Sequence, residues 1–303
     1  METVTRTILI TGATRGLGFE AARAATRQGI RVLAAGRDPG RTDAAATAAG
    51  AVPVALDLAS LAATRAAAEG LPRLDAVACN AGRQDVSGAT VTEDGLEATY
   101  QVNVAAHVAL LDRLLALGRL REPGRIVIVG SGTHDPARRT GMPAPRLDAP
   151  ADVARPADAS SPQSGRTAYT TSKLHCVLIA GALARELRAA GRDVHVCTFD
   201  PGLMPGTGLA REYPGWQRAL WASAMRGLRV LPGVETPRRS GAALAELLCA
   251  PAPPVPSGAC VTARLRAELP STTAQDEARQ DAALAGARAL VRAAEAPVRT
   301  RVA

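Results

Sequence analysis

Aromatic side chains are nearly absent from this 303-residue chain: Phe, Trp and Tyr together make up 2%. A core built on ring stacking is therefore excluded. Hydrophobic residues still reach 47%, so the core must come from Ala, Val, Leu and Ile. That suits close helix-on-sheet packing better than a pocket walled by rings. Lysine is scarcer still. Lys and Arg number 36, and Lys173 is the sole lysine. The five cysteines, Cys79, Cys176, Cys197, Cys249 and Cys260, are odd in number, widely spaced and without a CxxC pair. This argues against a disulfide framework or a zinc site and predicts reduced thiols. The four histidines, His107, His134, His175 and His195, are too dispersed for a metal centre.

No block of like charge is present, although the net charge is +8 and the pI near 10. The arginines are scattered, and neither a helix-turn-helix nor a zinc-finger spacing is visible. The pattern predicts no nucleic-acid partner. The start, Met1 to Arg6, runs into a short apolar strand without the pattern of a signal peptide. No apolar run approaches the roughly 18 residues that span a bilayer. The expectation is a cytoplasmic protein without a membrane span.

What is present is an alternation of short apolar runs with helical stretches. Strands are predicted at 7–10, 31–35, 51–56, 74–79, 125–129, 194–199 and 259–261. Helices are predicted between them, including a long stretch over about 93–120 and one running from Tyr169 to about Ala190. This rhythm predicts an α/β fold: one doubly wound domain over 1–303, with a parallel sheet of about seven strands and helices on both faces. Three segments depart from it. Residues 132–166 are proline-rich and read as a long active-site loop. Residues 203–232, with Tyr213, Trp216 and Trp221, read as a lid over a substrate. Residues 273–294 read as a peripheral alanine-rich helix.

Directly after the first strand comes Thr11-Gly12-Ala13-Thr14-Arg15-Gly16-Leu17-Gly18. Glycines there permit a tight turn and close backbone approach, and the helix that follows offers its N-terminal dipole to a pyrophosphate. The second strand ends in Gly36-Arg37-Asp38, where a dinucleotide fold meets the adenosine ribose. An acidic residue there binds a 2′-hydroxyl, whereas an arginine pairs with a 2′-phosphate. Arg37 occupies that place, with Arg15 nearby, so the reading is NADP(H). Asp38, one residue on, argues the other way.

Further along stands Tyr169-Thr170-Thr171-Ser172-Lys173. Residues four apart share a helix face. An ammonium beside a phenol favours the phenolate and so tunes a tyrosine for proton transfer. The plainer reading is a surface lysine beside a buried tyrosine. Against it stands the survival of one lysine where arginine has replaced all others.

Together these motifs resemble the short-chain dehydrogenases/reductases, in the branch with a TGxxxGxG loop and a YxxxK pair. The likeness covers essentially the whole chain. It rests on Thr11 to Gly18, Asp57, Asn80-Ala81-Gly82, Asn103, Ser131, Tyr169 with Lys173, and Pro201-Gly202. It is similar above all to the retinol-dehydrogenase-like and protochlorophyllide-reductase-like members, through Tyr100 to Asn103, Gly130 to His134 and the stretch from Pro201 to Arg211. The resemblance implies hydride transfer between NADP(H) and a carbonyl/alcohol or enone small molecule. It implies Tyr169 as general acid/base and Lys173 on the nicotinamide ribose. Ser131 would hydrogen-bond the substrate oxygen, and Asn103 would hold a water that links Lys173 to solvent. Contacts to the cofactor would come from Gly12, Thr14, Arg15, Gly16, Leu17, Gly18, Arg37, Asp57, Leu58, Asn80, Ala81, Gly82, Tyr169, Lys173, Pro201, Gly202, Leu203 and Thr207. A homodimer or tetramer is also implied.

The chain departs from the family pattern at three points. Ser131 and Tyr169 lie unusually far apart, Gly130 replaces a common serine, and Gly206 stands where a threonine is frequent, with Thr207 next. Two other functions fit the same residues: a redox-neutral cyclase or isomerase, and a non-catalytic NADP-binding regulator.

Overall fold

The structure, a computed structural model, describes residues 6–85, 87–138, 140–155, 161–204 and 235–295. The segment with Tyr213, Trp216 and Trp221, and the Thr207 position, lie outside the described residues.

Among the described residues, eight strands form one sheet in the order β3-β2-β1-β4-β5-β6-β7-β8. β1 (Thr7–Thr11), β2 (Arg31–Gly36), β3 (Val52–Ala55), β4 (Leu74–Cys79), β5 (Leu120–Val129), β6 (Val194–Asp200) and β7 (Cys260–Thr262) all run parallel to one another. The seven expected strands are present. The eighth, β8 (Ala267–Glu268), pairs antiparallel with β7 at the edge. At two residues it carries no readable alternation. β3 forms the other edge and is mostly exposed, which tolerates Pro53.

Helices cover both faces. α1 (Gly16–Thr26), α2 (Pro39–Ala49) and α8 (Pro237–Cys249) pack one face through alanines and leucines. α3 (Leu61–Gly70), α5 (Ala106–Ala116) and α7 (Pro162–Ala189) pack the other. The core is aliphatic, as the composition required. Among the described residues its bulky fully buried side chains are Ile and Leu, with only Tyr100 and Phe199 as rings.

Four expectations are revised. The single helix expected over 93–120 is a short turn, α4 (Ala98–Tyr100), then a π-helical turn (Gln101–Ala105), then α5. The fifth strand begins five residues early, at Leu120. The 132–166 loop is shorter than expected and contains α6 (Pro150–Val153). α7 already starts at Pro162, because the Ser161 hydroxyl accepts from Ser164 N and proline suits the first helical position. Lastly, the C-terminal helix is not peripheral. After the short α9 (Thr272–Gln275), α10 (Glu277–Glu295) buries Ala283, Leu284, Ala287, Leu290 and Val291. It lies over α7 and α5, and Arg288 joins the three helices through Asp112 and Glu186, at 2.8 and 2.5 Å.

Candidate active site

The predicted residues converge at the C-terminal ends of the parallel strands, around the point where the strand order reverses between β1 and β4. β1 ends on Thr11 and the chain turns at once. Gly12 (φ +66°) and Gly16 (φ +55°) take left-handed values open to glycine. A Cβ on Gly12 would lie 2.7 Å from Ala81 Cα, and one on Gly18 would lie 2.6 Å from the Gly12 carbonyl oxygen. Backbone thus packs on backbone. α1 begins here with Arg15 at its N-cap and no side-chain cap, whereas Asp38, Ser60, Ser161 and Thr236 cap α2, α3, α7 and α8. The first amides of α1 keep their dipole and have no side-chain acceptor, an arrangement that suits an anion.

Thr11 is the hub of the loop, and sequence reasoning did not assign it a role. Its hydroxyl accepts from the amides of Asn80 and Ala81, each at 2.9 Å, and lies 2.9 Å from His107 Nε2. Asn80 Nδ2 donates to the carbonyls of Thr11 and Gly12, at 2.7 and 3.2 Å. Thr14 packs at the end of β2, where a Cβ on Gly36 would lie 2.5 Å from its methyl group. Leu17 and Leu58 are buried in the apolar layers, so their backbone rather than their side chains borders the cleft. Asp57 accepts from Ala59 N at 2.9 Å.

At the end of β2, Arg37 and Arg15 are exposed, and neither has an ion-pair partner among the described residues. Asp38 is already engaged. Its carboxylate accepts from the Arg41 amide at 2.9 Å and pairs with the Arg41 guanidinium at 3.0 Å. The Arg41 backbone bond, then its side chain, hold the Asp38 carboxyl below its ordinary pKa.

Deeper in the cleft, Lys173 is 5% exposed. Its Nζ donates to the Val129 carbonyl at 2.8 Å and stands 5.7 Å from the centre of the Tyr169 ring. Gly82 faces the same ammonium: a Cβ there would lie 3.9 Å from Nζ. Asn103, on the π-helical turn, spends its side chain on neighbours. Its Oδ1 accepts from Arg83 N at 2.7 Å, and its Nδ2 donates to Arg83 O at 3.0 Å and to Ser172 Oγ at 2.9 Å. The Asn103 carbonyl meets His107 Nδ1 at 3.3 Å and Cys176 Sγ at 3.5 Å. His107 therefore ties the π-helical turn to the glycine loop. Burial lowers its pKa to about 4, so it acts as a neutral hydrogen-bonding link.

Ser131 follows β5, and its hydroxyl accepts from the Thr133 amide and hydroxyl at 3.3 and 3.1 Å. After β6, Gly202 (φ +76°) donates to Asp200 Oδ1 at 3.0 Å, and the Pro201 carbonyl accepts from Ser240 Oγ at 2.8 Å. Leu203 is exposed beside them. The insertion after Ser131 is strapped down. Arg138 pairs with Glu268 at 2.6 Å and with Asp200 at 3.5 Å, and Arg146 N donates to Thr171 Oγ1 at 2.9 Å. Nothing in the sequence marked Arg138: Asp135 is a local partner at 4.0 Å, but Asp200 and Glu268, which make the strap, are 62 and 130 residues away. His134 is buried beneath this strap, against the Ser131 carbonyl at 2.7 Å and Ser271 N at 3.3 Å.

The family model described as short chain dehydrogenase matches residues 6–141. Over 209 residues the chain is 40% identical to a Streptomyces sp. (strain C5) protein that carries the provisional name daunorubicin C-13 ketoreductase DnrU, covering 65% of each chain. It is 34% identical to the bovine dehydrogenase/reductase SDR family member 13, over 71% of this chain but 56% of that one. It therefore spans roughly three fifths of the length of these two relatives. With the short chain dehydrogenase atnD of Emericella nidulans it shares 34% identity over 72% of this chain and 73% of that one. A solved, uncharacterized protein of Mycobacterium paratuberculosis superposes with a TM-score of 0.72 at 27% identity, covering 95% and 93% of the two chains. On sequence, fold and the arrangement of its strand ends, this chain belongs to the short-chain dehydrogenase/reductase family.

Proposed function

We propose that this chain is an NADP(H)-dependent oxidoreductase, moving hydride between the nicotinamide and a carbonyl or alcohol carbon of a small molecule. The observation that carries the reading is the seat of Lys173. The only lysine of the chain is buried at the strand ends, beside the Tyr169 ring and facing Gly82. A buried cation so placed has an electrostatic use there that a surface lysine does not.

The glycine cradle fits a dinucleotide. A Cβ on Gly12 would meet the Ala81 backbone and one on Gly18 would meet Asn80 Nδ2 and the Gly12 carbonyl, so both positions are restricted to glycine, and α1 starts without a side-chain cap. Gly16, Thr14 and the Leu17 backbone complete the pyrophosphate side. Asp57 and Leu58 border the adenine, Asn80 to Gly82 the middle, and Pro201 to Leu203 the nicotinamide. Arg37 and Arg15 take the 2′-phosphate, for which Asp38, held by Arg41, does not compete. The reduced cofactor supplies the hydride. Tyr169 gives its proton to the substrate oxygen as negative charge develops there, and takes it back in oxidation. Ser131 donates a second hydrogen bond to that oxygen. Lys173 holds the ribose hydroxyls and places a positive charge beside Tyr169. Asn103 fixes the Arg83 loop against Ser172, and its helical turn holds the water that links Lys173 to solvent.

The likeness to a protein named as a ketoreductase supports a ketone as the first substrate class to examine. Calorimetric titration of NADPH and NADH, on the wild type and on Arg37→Ala, tests the cofactor. The reading requires tighter binding of NADPH, with the preference lost in the variant. A panel of ketones and aldehydes, followed by NADPH consumption, tests the chemistry. Tight NADPH binding without consumption on any carbonyl would overturn the redox reading and favour a redox-neutral enzyme or a regulator.

A further inference from the structure

A second cleft lies on an adjoining face of the helix that carries Tyr169 and Lys173. It is enclosed by the 146–155 part of the insertion, by α7 and by α10, with a volume of about 460 Å³, the size of a small-molecule site. Leu147, Leu174, Leu178 and Leu290 give it apolar walls. Neither Tyr169, Lys173 nor Ser131 lines it, so it is separate from the hydride-transfer site and independent of that reading.

Its floor carries one polar group. His175 is 3% exposed, and its Nδ1 stands 2.9 Å from the Tyr100 hydroxyl. Burial drives the Tyr100 phenol up and the His175 imidazole down, to about 4, so both are neutral. Among the described residues the phenol has no other partner, so the arrangement that satisfies it has O–H donating to Nδ1, with the ring proton on Nε2. Nε2 has no partner among the described residues. It is also not among their orphaned buried polar atoms, which are Thr99 Oγ1, Arg166 Nε and Ser271 Oγ. It therefore keeps solvent access, which the cleft supplies. The rim adds charge of one sign: Arg146, Arg155 and Arg279 against a single acid, Asp148. Asp148 and Asp276 occupy Arg146 and Arg279, at 2.7 and 3.3 Å, while Arg155 has no acidic partner among the described residues.

We propose that this cleft binds an apolar monocarboxylic acid, its carboxylate shared between His175 Nε2–H and Arg155 and its chain laid along Leu174, Leu178 and Leu290. An amine of the same length would meet the arginines with like charge and find no acceptor on the floor.

Decanoate serves as the probe, with decyltrimethylammonium as its cationic counterpart, on the full chain with saturating NADPH. Four histidines make the imidazole NMR spectrum sparse. The His175 signal, identified by its loss in His175→Asn, should shift saturably with decanoate and stay still with the ammonium. Arg155→Glu should weaken decanoate about tenfold, and Ala289→Trp, which fills the cleft from its exposed side, should abolish the shift. An unchanged urea midpoint and far-UV circular dichroism spectrum in Ala289→Trp show that the variant is folded. The proposal is overturned by a His175 signal that decanoate leaves unmoved, by equal affinity for the two probes, or by decanoate affinity that Ala289→Trp leaves unchanged.

Discussion

His107 Nε2 stands 2.9 Å from the Thr11 hydroxyl, across 96 residues of sequence. Through this contact the glycine loop, the π-helical turn with Asn103 and the backbone of Asn80-Ala81 share one buried network. The network requires a neutral imidazole, and so does the Tyr100–His175 pair.

A pH dependence of stability follows. Burial lowers His107 and His175 from 6.5 to about 4. Between those values the unfolded chain binds more protons than the folded one, so stability is complete above pH 6.5 and falls as the pH drops towards 4. Each imidazole contributes of the order of 3 kcal/mol to that loss. Urea midpoints measured from pH 7.5 to 4.5 should fall along this window, and His107→Gln should flatten the curve. A wild-type midpoint that holds steady to pH 4.5 contradicts the assignment.

The acid–base pair gives a kinetic expectation. Tyr169→Phe should lower kcat about 10²–10⁴-fold, with cofactor affinity nearly unchanged. Lys173→Arg should not rescue function, because a planar guanidinium does not fit the pocket between Val129 O and Gly82 as a compact ammonium does. Single-turnover NADPH oxidation reads the first effect and calorimetric titration the second. Full activity in either variant would sink the assignment.

The start of α7 is held by a close approach. A Cβ on Gly165 would lie 2.8 Å from the Gly88 carbonyl oxygen and closer still to that of Asp85. Gly165→Ala must therefore push α7 off the loop that Arg83, Asp85 and Thr90 knit together. The expected cost is about 1–3 kcal/mol in urea unfolding. An unshifted midpoint would show that the helix start yields without strain.

The C-terminal helix should behave as core. Leu290 is 6% exposed, under α10 and in the same apolar layer as α7. Leu290→Ala should destabilise the chain by about 2–4 kcal/mol, and Arg288→Ala by less, since its ion pairs are partly exposed. Chemical denaturation of both variants checks the ranking. A silent Leu290→Ala would return α10 to the periphery.

The sequence alone determined the layered α/β order, the strand ends and the candidate residues of the site. Those features are local: short apolar runs, glycines at a turn and a YxxxK pair on one helix face carry their physics within a few residues. The start of α7 is written locally too, in Ser161-Pro162, although the proline-rich run around it has the look of a loop, and β8 is too short to show a period. Tertiary structure alone decided what depends on partners far apart in the chain. Thr11 meets His107, Arg138 meets Asp200 and Glu268, and α10 completes the core layer into which α7 packs. No spacing rule encodes such contacts, because each residue's role is set by the burial and charge that distant segments bring to it.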